Sequence, residues 1–217
     1  MKIKFWGVRG SIAAPGPSTN KVGGNTSCVE VRAHDRLIIF DMGTGARGLG
    51  GSLLKELPIQ AHIFLSHTHH DHCQGLPFFV PCFIPGNKLT FYGADKHGRN
   101  LREQLESLFD YPYFPVPLKT MPATMDYVSL REGQRVAITT DLSVSNRRVN
   151  HPDEAFGYRV ESVENGVKKI FAYCTDTEHF SVPDWKVKDL AKDADVFVYD
   201  CQYTDEEYPS KVGWGHS

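Results

Sequence analysis

Four histidines and one aspartate fall within six residues, His67-Thr68-His69-His70-Asp71-His72. Imidazole is the commonest protein ligand for zinc-like ions, and carboxylates complete such shells. The chemistry open to this run is to hold divalent metal and, through it, to activate water. The plain alternative is a metal-sticky surface run. The embedded carboxylate and the apolar stretch Ala61-His62-Ile63-Phe64-Leu65 just before it argue instead for a buried strand that delivers the cluster to a site. At a strand end, His67 and His69 are placed to face one metal, and Asp71 and His72 a second, with His70 turned elsewhere. Six residues cannot complete two shells. His151, after the strand 142–149, and Asp176, after the strand 170–173, are the further candidates, with His179 and His216 also available. A carboxylate such as Asp176 can bridge two cations, which a neutral imidazole cannot.

The elements that must position these residues are legible in outline. Alternation over Ile3, Phe5 and Val8 predicts a strand, and Pro15 to Gly24 is turn-rich. Residues 28–31 and 37–40 read as a hairpin about His34-Asp35, running into Asp41-Met42-Gly43-Thr44-Gly45. A helix is expected from there to about Leu57, stopped by Pro58. After the cluster come a strand at 89–92 and a helix from Gly98 to Phe109. The proline-rich aromatic stretch from Tyr111 to Met125 reads as an irregular lid or as a packed structural loop. A meander follows over 136–149, 156–163 and 169–173, turning at Glu164-Asn165-Gly166. Trp185 to Lys192 reads as a helix and Val196 to Asp200 as a final buried strand. This order predicts an α+β protein in which two sheets pack face to face with helices outside, a four-layer αββα sandwich.

The chain has 217 residues, 41% hydrophobic and 23% charged, with a net charge of −2. This suits one globular domain over 1–217 and disfavours a general polyanion binder. No apolar run approaches the ~20 residues of a membrane span. The N-terminus begins directly in strand-like alternation, without a signal-peptide core. Five widely spaced cysteines without a C-x-x-C pair suggest no disulfide framework, so a reducing cytoplasm is the expected setting. Cys73 follows His72 directly, but packing is the preferred reading for it.

The run His67-x-His69-x-Asp71-His72, preceded by Leu65-Ser66 and followed by Gly75-Leu76-Pro77, resembles the metallo-β-lactamase superfamily. The turn Phe40 to Gly45, the isolated His151 and Asp176 extend the resemblance over essentially the whole chain. It implies the αββα fold and two divalent metals, zinc first, with manganese or iron as alternatives. By position, His67, His69 and His151 would hold one metal, Asp71 and His72 the other, with Asp176 bridging. Phe5-Trp6-Gly7-Val8-Arg9-Gly10-Ser11 and Gly23 to Cys28 look like a phosphodiesterase branch similar to tRNase Z and cyclic-nucleotide phosphodiesterases. So do 194–200 and Gly215-His216-Ser217. There His216 would bind the phosphate or donate a proton, while Asp71 would be both ligand and orienter. The branch pattern runs on past Ser217 and supplies a last histidine. The resemblance therefore implies a missing C-terminal segment, with His216 or the partner subunit of a homodimer as other sources of that ligand.

The expected substrate is a small cyclic nucleotide or similar phosphodiester, with no membrane partner. An RNA 3′-processing endonuclease is the first alternative. It is disfavoured because Tyr111 to Met125 carries only Lys119 as a cation. A thioester or lactam hydrolase and an inactive metal-binding relative are the others. Asp41 reads either as a group holding a ligating histidine or as a turn carboxylate. Gly43-x-Gly45 is explained by a tight strand-to-helix turn, Asn25 and Ser27 by turn chemistry, and Arg147-Arg148 by a solvated strand end.

Overall fold

A computed structural model describes residues 1–217, which divide into two compact units, Lys2–Leu130 and Arg131–Ser217, the latter including Met1. The first carries a six-stranded sheet in the order β1 to β6: β1 (Lys2–Gly7), β2 (Cys28–Ala33), β3 (Arg36–Phe40), β4 (Gln60–Phe64), β5 (Lys88–Gly93) and β6 (Thr124–Ser129). β1, β2 and β3 pair antiparallel, and β3 to β6 run parallel. The hairpin forms because His34 and Asp35 take positive φ at a two-residue turn. The near-continuous apolar runs of β3 and β4 are those of strands covered on both faces.

Helix α1 (Gly45–Leu53) buries Ala46, Leu49, Gly50 and Leu53, one stripe at helical spacing, against the core that includes Ile63, Phe79 and Phe91. It stops four residues short of Leu57. Leu54 and Leu57 are exposed, and Leu57 precedes a proline that disfavours helical backbone. Helix α2 (His70–Cys73) is a single turn inside the histidine run. Helix α3 (Leu101–Glu106) starts three residues later than expected, because Asn100 and Glu103 close a capping box, and it tightens to a 3-10 turn over Ser107–Phe109. The stretch from Tyr111 is packed in its second part, while Tyr111 and Tyr113 are exposed. Leu118, Met121 and Ala123 are core residues, Phe114 packs on them, and β6 already begins at Thr124.

The second unit carries a five-stranded sheet in the order β11-β10-β9-β8-β7. β7 (Arg135–Thr139), β8 (Leu142–Arg148), β9 (Phe156–Glu164) and β10 (Val167–Cys174) form the expected meander, with Asn165 and Gly166 at positive φ in its last turn. Helix α4 (Trp185–Ala191) packs Leu190 with Val149, Ala155 and Cys174. β11 (Val196–Tyr199) runs parallel to β10. Its expected burial is corrected: Val196 and Phe197 are exposed, because β11 is an edge strand. No helix is long and apolar enough to cross a membrane.

Candidate metal centre

On the first unit, β3 and β4 run side by side and end together. Asp41 N donates to Phe64 O, and Leu65 N to Tyr92 O. The chain just past each strand end therefore comes together. Asp41 is fully buried and takes positive φ. Its Oδ1 accepts from Ser66 N at 2.7 Å and Ser66 Oγ at 3.0 Å, and its Oδ2 lies 2.9 Å from His72 Nδ1. Ser66 Oγ also lies 3.1 Å from His67 Nδ1. The Asp41 side chain thus holds a ligating-type histidine and is no mere turn carboxylate.

The histidine loop is tied back twice, by Met42 N to His72 O and by Gly75 N to Met42 O. A Cβ on Gly43 would overlap the Asp71 carbonyl, and one on Gly75 the Gly43 carbonyl, so both glycines are needed for this close approach. That accounts for Gly43-x-Gly45 as a structural turn. Asn25 and Ser27 serve it too: Asn25 Oδ1 accepts from Thr44 Oγ1, and Ser27 O from Gly43 N.

His67, His69, Asp71 and His72 are brought together. The His67 ring centroid lies 4.4 Å from that of His69 and 4.3 Å from that of His72, and Asp71 Oδ2 lies 3.3 Å from His72 Nε2. The same Asp71 oxygen accepts from Ser11 N at 2.9 Å, a contact that gives the N-terminal Phe5 to Ser11 run a place in the site. His70 is exposed and belongs to none of the ligand-distance groups. Cys73 packs: its Sγ donates to His69 O at 3.1 Å, and burial pushes its thiol up to about 12.

On the second unit, Asp176 follows the end of β10 at positive φ, and His151 follows β8. His151, Asp176 and His216 each offer a ligand atom within 4.8 Å of the others. His216 Nδ1 lies 2.9 Å from Asp200 Oδ2, which also accepts from Thr177 N at 3.0 Å. His179 does not join them. It stacks on Tyr208, with Nδ1 3.1 Å from Ser217 Oγ. Arg147 and Arg148 are ion-paired with Asp189 and Glu154, as a solvated strand end would be.

Three features go beyond what the sequence pattern reveals. Glu178 is buried and grips the Tyr208–Gly215 loop through Gly213 N, Gly215 N and Tyr208 Oη. Burial pushes its carboxyl up, but the hydrogen bonds from Gly213, Gly215 and Tyr208 outweigh that and hold it below its ordinary value. Asp200 is visible in the sequence only as a strand terminus. Lys96 and Arg99 flank a turn beside the histidine loop, outside the 111–125 stretch whose single cation, Lys119, disfavours an RNA-gripping arm.

The donor set fits a divalent metal. With Nδ1 of both His67 and His72 engaged in the Asp41–Ser66 network, the other ring nitrogen of each is the one aimed at a ligand site. This is the usual outer support of metal-binding histidines. His67 and His69 offer ligand atoms within 4.8 Å of each other, as do His67 and His72.

Known proteins share this architecture. The structure of human tRNase Z, short form, is similar with a TM-score of 0.68 at 22% identity, covering 100% of this chain and 84% of that one. Zinc-bound PqqB from Methylobacterium extorquens is similar with a TM-score of 0.63 at 16% identity, covering 100% and 77%. The metallo-beta-lactamase fold protein YhfI from Bacillus subtilis is similar with a TM-score of 0.68 at 16% identity, covering 99% of this chain and 75% of that one, so the two-sheet α/β architecture is that of metallo-β-lactamase fold proteins. In sequence, a beta-lactamase superfamily domain matches residues 36–217, and the chain belongs to that family. A ribonuclease Z of Lactobacillus johnsonii is 28% identical over 169 residues, 74% of this chain and 48% of the relative. The match thus spans about half the length of that protein.

Proposed function

We propose that the chain is a metal-dependent phosphodiesterase acting on a small cyclic nucleotide or a similar phosphodiester. In this reading His67, His69, Asp71 and His72, with His151 and Asp176, hold two divalent metals. Zinc is the first choice, and manganese or iron suit the same donors. The similar PqqB is a zinc-bound protein, which supports that order. The observation that carries the phosphodiester assignment is the His216–Asp200 pair. An imidazole fixed through Nδ1 to a carboxylate stands in one ligand-distance group with His151 and Asp176.

Divalent metals held by these residues would supply Lewis acidity, making water a nucleophile near neutral pH and offsetting charge on the phosphoryl oxygens. The protein's own residues do the rest. His216, oriented by Asp200 at Nδ1, donates the Nε2 proton to the leaving oxygen as the P–O bond breaks. Asp71, braced by Ser11 N, orients the attacking water and accepts its proton at a carboxylate oxygen. Asp41 and Ser66 keep His72 and His67 from rotating.

The test is a hydrolysis panel with metal analysis, using bis-p-nitrophenyl phosphate, a cyclic nucleotide and a thioester. The double variant His67→Ala, His69→Ala should lose metal and activity. His216→Ala should keep its metal and lose turnover. Full hydrolysis by the double variant, or turnover of the thioester alone, would reject the reading. A second reading, an RNA 3′-processing endonuclease, draws support from the likeness to the Lactobacillus ribonuclease Z and from Lys96 and Arg99. Cleavage of a 3′-extended tRNA precursor, with the small diesters left intact, would select it.

A further inference from the structure

A cavity of about 850 Å³ opens on the first unit beside the histidine loop, which gives it Thr68, His70 and Gln74 as one edge. The volume falls in the ~300–1,000 Å³ range of small-molecule sites. Another stretch of its lining is the Lys96–Arg99 turn, in which His97 and Arg99 are exposed and Lys96 is buried. Lys96 N donates to Arg99 O and Arg99 N to Lys96 O, with His97 and Gly98 at positive φ between them. A two-residue turn of this kind puts the residues that flank it on one face, and Lys96, His97 and Arg99 all line the cavity. No carboxylate lines it, in a chain whose net charge is −2.

The remaining wall is aromatic. Phe114 is anchored by Phe109, their centroids 5.3 Å apart, and meets Phe78 edge-on at 5.8 Å. Phe78 is 59% exposed and Tyr113 88% exposed. Large rings left open to solvent at a cavity mouth are surfaces on which a planar ligand stacks. One glutamine holds the walls in register. Gln104 Oε1 accepts from Thr68 Oγ1 at 3.0 Å, and its Nε2 donates to Ala94 O at 2.9 Å and Arg99 O at 3.2 Å.

We infer that this cavity is a nucleotide subsite: Phe78, Tyr113 and Phe114 take the base, and the Lys96–Arg99 turn takes a phosphate. Its place in catalysis rests on the phosphodiesterase reading, while its capacity to bind does not. The side-chain amide of Gln104 is already committed to the protein, and the stacking and charge on which the proposed subsite rests do not depend on which base is bound. Such a site tolerates different bases.

Titration calorimetry of the intact protein with AMP, UMP, ribose 5-phosphate and inorganic phosphate tests this. AMP and UMP should bind within a few-fold of each other, and ribose 5-phosphate about ten-fold more weakly. Phe78→Ala and Tyr113→Ala, both at exposed positions, should weaken AMP about ten-fold and leave ribose 5-phosphate unchanged. Arg99→Glu should weaken every phosphate ligand. AMP binding no tighter than ribose 5-phosphate, or aromatic variants with unaltered AMP affinity, would overturn the inference. So would an RNA hairpin that binds through these residues a hundred-fold tighter than AMP. Retained AMP binding in a protein that hydrolyses no phosphodiester would support the subsite while sinking the hydrolytic reading.

Discussion

Asp41 Oδ2 sits 2.9 Å from His72 Nδ1, and both side chains are fully buried. The same carboxylate takes both the N–H and the hydroxyl of Ser66. An outer carboxylate of this kind fixes the ring and raises its basicity, and its loss typically costs 10–100-fold in metal affinity. Asp41→Asn keeps the shape and suits the positive φ, which Asn tolerates. It should therefore fold and bind zinc roughly 10–100-fold more weakly, as read by competition with a chromophoric chelator. Unchanged zinc affinity would mean that Asp41 serves the fold alone.

Two glycines in one neighbourhood should respond in opposite ways. At Gly43 a methyl group would overlap the Asp71 and Ser27 carbonyls, backbone that cannot step aside. Gly43→Ala should lower stability by about 1–3 kcal/mol and disturb the histidine loop. At Gly51, in α1, a Cβ meets nothing within 4 Å. Gly51→Ala should raise stability by roughly 0.5–1 kcal/mol through the lower entropy of the unfolded chain. Urea titration measures both. Equal effects would refute the close-approach account of Gly43.

How far the site could be read from the sequence follows from range. The cluster 67–72 is local, and strand periodicity before it said where it would be delivered. The meander and its Asn165-Gly166 turn were legible for the same reason. Asp200 and Glu178 were not, because their roles come from contacts with His216 and Gly215, 16 and 37 residues away. A lone acidic residue carries no periodic signal of such a partner. The exposure of β11 was hidden because its four residues have the composition of a buried strand, while sheet order alone makes it an edge. Lys96 and Arg99 read in sequence as ordinary surface cations, and only the turn between them sets both on one cavity wall.

The cysteines offer a check on packing. Burial pushes the thiols of Cys73, Cys82 and Cys174 up to about 12, and that of Cys28 well above its usual value. Cys201 alone is exposed. Since the thiolate is the reactive form, one equivalent of a thiol reagent should react rapidly at pH 8, and all five should react in guanidinium. The Cys201→Ser variant should lose the rapid phase. More than one rapid equivalent in the native protein would show that one of the two cores is looser than described.

Glu178 makes the last case. Its carboxylate accepts from Gly213 N at 2.8 Å, Gly215 N at 2.9 Å and Tyr208 Oη at 2.9 Å, and it is 7% exposed. Three donors that converge on one buried group hold the Tyr208–Gly215 loop, and with it the backbone that presents His216. Glu178→Ala strands those donors, so it should cost about 1–3 kcal/mol and raise amide exchange across 208–217. Glu178→Gln keeps one acceptor oxygen and should recover part of the protection. If Glu178 served only the global fold, exchange would rise uniformly through α4 and β9. A rise confined to 208–217 identifies it as the clamp on the loop that carries His216.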